Sequence, residues 1–77
     1  MREAIGTLIG RHVAAQRLQR EKTQQQLAEL VGVSRQAISE IERGQAPKWD
    51  TLYLIALALR CEPWDLIPTL KQVRTLQ

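Results

Sequence analysis

The sequence predicts an all-α fold, a compact five-helix bundle containing a helix-turn-helix, and three observations carry that prediction. Apolar residues recur at helical spacing along most of the chain. Two of those stripes, each with its own start signal, are separated by a single glycine. Phe is absent and aromatics are only 4% of 77 residues, so the core must be packed from Ile, Leu, Val and Ala, which suits a small helical bundle. The length allows one domain, near the lower limit for an independent core.

Residues 1–4 read as a frayed terminus. Helix 1 is expected over about 7–20, with Ile9, Val13 and Arg17 on one face. Helix 2 covers 24–31. Thr23, with Gln26 three residues on, makes a capping box in which each side chain takes the other residue's free N–H. Leu27, Ala28, Leu30 and Val31 form the stripe that follows, and Gly32 suits the left-handed residue that closes a helix. Ser34 caps helix 3, over 35–43, whose inner face is Ala37, Ile38 and Ile41. Residues 44–49 form a loop containing Pro47. Helix 4 follows over about 51–59, capped by Asp50 or Thr51 and burying Leu52, Ile55, Ala56 and Leu59. Glu62 and Pro63 open helix 5, with Pro63 in the first turn, where no N–H donor is needed.

Helices 2 and 3 have what a steep crossing with a tight turn requires: small Ala28 at the crossing, a left-handed Gly32, and Ile38 and Ile41 as plugs behind the second helix. In full register, Ile9-Gly10, Arg17, Thr23-Gln24, Leu27-Ala28, Gly32-Val33-Ser34, Ile38-Ser39, Ile41-Glu42-Arg43-Gly44, Pro47, 54–59 and Leu66 resemble the Cro/repressor-type helix-turn-helix family of phage and bacterial transcription regulators. The resemblance spans 9–67 and implies a lambda-repressor-like DNA-binding domain over 1–77, with its motif at 24–43. Three places depart from the family pattern, the first of them a pair of residues. Glu21-Lys22 stand where a glycine and an apolar residue are common, Arg60 replaces a common glycine, and Glu62 replaces a common serine cap.

Charge agrees with a nucleic-acid partner. The net charge is +3, and Arg11, Arg17, Arg20 and Lys22 against Glu21 put the excess before and beside the motif. From residue 49 onward three basic residues balance three acidic ones. In this architecture helix 3 lies in the major groove and helix 2 crosses the backbone. The outward face of helix 3 then presents Arg35, Gln36, Ser39 and Glu40 to base edges. Gln36 suits adenine and Arg35 guanine. Glu40 either accepts from cytosine N4 or holds Arg43 or Arg35 in place. Gln24, at the positive end of helix 2, is expected on a phosphate, and the resemblance adds a brace to Gln36. Thr23 and Ser34 are caps first and phosphate donors second, while Arg43 and Lys48 flank the loop after helix 3 as phosphate ligands. The resemblance also implies an ion pair between Arg17 and Glu42 that joins helix 1 to helix 3. Arg17 lies on the inner face of helix 1, where an unpaired charge would be costly.

Other chemistry finds little support. One cysteine forms no internal disulfide, which fits a reducing cytoplasm. Cys61 reads as a small buried apolar residue and His12 as an exposed one, with no ligand-spaced partners for a metal. No cofactor, glycine-rich phosphate loop or nucleophile–base constellation is indicated, and the chain is not expected to be an enzyme. The apolar run 52–59 is too short to span a bilayer, and no secretory leader is read at the start, so no membrane partner is expected. Beyond helix 5, Leu66, Leu70, Val73 and Leu76 recur at spacings of four, three and three. With Ile67 they read as a dimer interface in a tail over 68–77, or else as packing back onto helices 1 and 5. The reading is a homodimeric, cytoplasmic, sequence-specific repressor of an inverted-repeat operator on double-stranded DNA. The alternative is an antitoxin or restriction-modification controller using the same module with a second protein.

Overall fold

The computed structural model describes residues 1–75, and all regular structure among them is helical. Five α-helices follow in order: α1 (Arg2–Gln19), α2 (Gln24–Val31), α3 (Arg35–Glu42), α4 (Trp49–Leu59) and α5 (Leu70–Arg74), with a 3-10 turn at Pro63–Asp65 between the last two. Helix α1 packs on α3, α3 on α2, and α2 on α4. The core is aliphatic: Val13, Leu27, Ile38, Ile55, Leu59 and Leu66 are fully buried.

Local signals place the middle helices. Thr23 and Gln26 form the reciprocal capping box of α2, and the Ser34 hydroxyl accepts from the Ala37 N–H at 3.0 Å to start α3. Helices α1 to α4 all end in the same way, with two backbone bonds closing back over the last turn around a left-handed residue. Gly32 and Gly44 fill that position after α2 and α3, whereas Glu21 and Arg60 fill it after α1 and α4, both at φ 55°. Both of these non-glycine residues sit where a glycine would be easier to accommodate.

The ends of the chain differ from expectation. Helix α1 begins at Arg2 rather than near residue 7, which removes the frayed terminus. Helix α4 begins at Trp49, with Lys48 as its cap residue; Asp50 lies inside the first turn, and its carboxylate accepts from the Thr51 N–H. The segment opened by Pro63 is one 3-10 turn, and the fifth α-helix starts only at Leu70, after Pro68 has interrupted the chain. Thr69 and Gln72 make a second complete capping box there.

Two close backbone contacts seat the end of α3 on α1. A Cβ at Gly10 would collide with the carbonyl oxygen of Ile41, and one at Gly6 with that of Gly44. The two glycines, four residues apart on one face of α1, make a groove into which the C-terminal end of α3 sinks backbone against backbone.

Candidate nucleic-acid interface

The surface opposite that seam carries the outward side chains of α3. Ile38 and Ile41 are buried, Arg35 and Gln36 are exposed, and Ser39 and Glu40 are half-buried on the opposite side of the helix. Thr23 and Ser34 stand exposed at the N-terminal ends of α2 and α3, and each is engaged as a cap. Arg43 and Lys48 stand exposed at the two ends of the loop between α3 and α4, neither in an ion pair. These polar residues lie at the start of α2, along α3 and on the loop that follows it.

Behind them lies a network that ties α3 to the rest of the fold. Arg17 Nε donates to Glu42 Oε2 at 2.7 Å and a second guanidinium nitrogen donates to Glu42 Oε1 at 3.0 Å, with the two side chains only 12% and 9% exposed. Its third nitrogen donates to the Lys22 carbonyl at 2.7 Å, so one arginine fastens both α3 and the strained turn at Glu21. Gln24 donates to the same Glu42 carboxylate at 3.1 Å and accepts a long 3.5 Å contact from Arg35. The network therefore runs from a nearly buried ion pair to an exposed arginine. A fork of this kind is specific to arginine, since lysine offers no planar set of donors.

Two expected side-chain partners are different. Gln24 braces Arg35 rather than Gln36, because the Gln36 amide turns along its own helix and donates to Glu40 Oε1 at 3.3 Å. Glu40 accordingly holds Gln36, and neither Arg35 nor Arg43. An amide and a carboxylate four residues apart on a helix are neighbours by construction.

Outside the interface, His12 is half-buried on α1 beside Val13, and not exposed as expected; its Nδ1 is buried without a hydrogen-bond partner. Cys61 is half-buried against the core, where burial first and the Asp65 carboxylate second push its thiol pKa up, away from the thiolate. No group of three or more His, Cys, Asp or Glu among the described residues is placed to hold a metal ion. No helix among them is long and apolar enough to cross a membrane.

The expected tail stripe divides. Leu66 is fully buried in the core of its own chain and offers nothing to a partner. The non-helical stretch 66–69, with Pro68 in it, breaks the helical period between it and Leu70, so the two do not share a helix face. Ile67 and Leu70 are exposed at 43% and 72%, Val73 is half-buried, and Leu76 lies outside the described residues. Two features carried sequence signals that the reading did not use. Gly6 precedes Gly10 by four residues, a spacing that marks close helix contact, and α4 is apolar on its solvent side as well as its core side, with Trp49, Tyr53, Leu54 and Leu57 all exposed.

A short capped helix crossing a second through a left-handed glycine, with an exposed polar face held by a buried ion pair, defines a helix-turn-helix DNA-binding domain. The profile of the Cro/C1-type helix-turn-helix family matches residues 13–65, more than half of the chain, and the protein belongs to that family. The domain that defines the family is a DNA-binding regulatory one. None of the curated proteins compared with it gives a match.

Proposed function

We propose that the protein is a sequence-specific transcription regulator, a homodimeric repressor acting in the cytoplasm on an inverted-repeat operator with α3 in the major groove. Arg35, Gln36, Ser39 and Glu40 are the base-reading set. Arg43, Lys48, Gln24 and, through their capped helix ends, Thr23 and Ser34 take phosphates. The observation that carries this reading is the Arg17–Glu42–Gln24–Arg35 network, which fixes the one helix whose outward face is polar throughout. A nearly buried ion pair is an expensive way to hold a surface helix unless its angle matters. Arginine bidentate to guanine and glutamine bidentate to adenine are the pairings these side chains suit best.

Pairing follows from contact area. One small module has too little interface to outcompete genomic DNA, whereas two copies on a two-fold axis place their recognition helices about 34 Å apart on two half-sites. Selection of bound duplexes from a random library tests the whole reading. The expected result is an inverted repeat with half-site centres about one turn of DNA apart. Recovery of unrelated sequences, or of no preference, would remove it. The second reading, an antitoxin or controller with a protein partner, shares the DNA face and is favoured only by the exposed apolar side of α4.

A further inference from the structure

The exposed apolar side chains of α4 are outside the set proposed to contact DNA. Trp49, Tyr53 and Leu57 recur every four residues along one stripe, 78%, 52% and 65% exposed, and Leu54 flanks them at 43%. The Trp49 ring leans edge-on against Tyr53, with centroids 6.4 Å apart and planes at 72°, so the indole is braced while it projects. Past the other end of the same stripe lies a groove of about 200 Å³, lined by Tyr53, Leu57, Cys61 and Pro63 among others, on the scale of one aromatic side chain.

We propose that this face is the surface on which two copies of the chain pair, with their α4 helices antiparallel and Trp49 of each copy seated in the α4–Pro63 groove of the other. The geometry follows from the symmetry. A two-fold axis perpendicular to a helix brings one flank of that helix against the same flank of its copy with the ends exchanged. Trp49 opens α4 and the groove closes it on that same flank, so knob and hole meet reciprocally. Exchanging the ends also carries Asp50, in the first turn of α4, toward Arg60, its C-terminal cap; neither has an ion-pair partner among the described residues of its own chain. Aromatic side chains carry about 150–250 Å² each, so Trp49 and Tyr53 with Leu54 and Leu57 supply a large part of the ~800 Å² per partner of a standard interface. Trp64, which follows Pro63 of the groove in the chain, is exposed as well. A second copy suits this region better than DNA does, because from residue 49 onward acidic and basic residues are equal in number.

The proposal rests on the homodimer reading, and sedimentation of the full chain separates the two. Wild type is expected to run as a dimer, and Leu57→Asp as a monomer with unchanged helical circular dichroism. Leu70→Asp, in the tail, is expected to stay dimeric. Trp49→Cys, treated with diamide at concentrations where its dimer forms, is expected to crosslink to Cys61 of the second copy. The two positions lie at opposite ends of one helix and cannot bridge within a chain. In Trp64→Phe, which leaves Trp49 as the sole indole, emission is expected to shift to the blue as concentration rises through the dimer transition. A dimeric Leu57→Asp, or a monomeric Leu70→Asp, would overturn the α4 interface and leave the homodimer reading standing. A wild type that stays monomeric at every concentration would remove both.

Discussion

On the side of α3 that meets α1, Glu42 grips Arg17 at 2.7 Å, and both side chains are about nine-tenths buried. On its exposed surface, Arg35, Gln36 and Glu40 reach solvent and meet their neighbours only at 3.3 to 3.5 Å. The residue types are nearly the same, and burial alone separates their roles. A buried charge must keep its partner, since losing it leaves a desolvated ion. An exposed one holds a long intramolecular contact that contributes little and is given up at little cost. Gln24 stands between the two sides with one atom in each, which makes it the coupling element.

The largest effect is expected where the buried side is broken. Arg17→Ala or Glu42→Ala should lower stability by about 3–5 kcal/mol in urea titration, by stranding the other charge. Arg17→Met with Glu42→Leu should recover much of that stability, because an apolar pair of similar volume avoids desolvation. DNA affinity should nevertheless stay low in the double variant, since Gln24 has lost the carboxylate that orients it. Full recovery of both would mean that the pair holds the fold and not the reading angle.

Gly10→Ala comes next. Its Cβ meets backbone carbonyls of Ile41 and Glu42, which cannot rotate away, so α3 must shift. Overpacking of this kind costs about 1–3 kcal/mol, and the shift of α3 should be read as weaker specific binding as well as a lower melting temperature. Unchanged specific binding would detach the glycine groove from the recognition angle.

Changes on the exposed side should leave stability alone. Gln36→Ala should cost about 1–3 kcal/mol on the preferred duplex and relax selectivity at one base pair, while the urea midpoint stays put. If site preference survives, Gln36 is not a reading residue. Glu21→Gly should raise stability by about 1 kcal/mol, because the left-handed turn then carries no Cβ strain. A loss instead would assign the Glu21 side chain a role of its own. The smallest effect belongs to Lys48→Ala, which should weaken all duplexes alike and flatten the salt slope by about one unit. A sequence-dependent loss would make Lys48 a base contact.

How far the site could be read follows the range of the forces involved. Thr23 with Gln26, Ser34, and Gly32 declare helix ends within three or four residues, so α2 was legible to the residue and α3 to within one residue at its C-terminal end. Thr69 with Gln72 declares α5 equally clearly, yet a run of leucines at helical spacing concealed it. Periodicity carries no meaning across Pro68, and Leu66 fell on the core side of that break. Glu21 and Arg60 show the converse case. Their left-handed turns form without glycine because the helices they close are fixed by packing, and at Glu21 by the Arg17 bond to the Lys22 carbonyl as well.

By itself the sequence determined the all-α class, the helix-turn-helix and the outward face of α3, because caps, left-handed turns and apolar periods act between neighbours in the chain. Tertiary structure decided that Gln24 braces Arg35 and Glu42, that Gly6 and Gly10 admit the end of α3, and that Leu66 is core while Trp49 and Leu57 are surface. Those outcomes depend on contacts between residues far apart in sequence, such as Arg17 and Glu42, 25 positions apart. Whether such a side chain is buried or exposed is set by the helices that pack over it, and its own neighbours in the chain do not encode that.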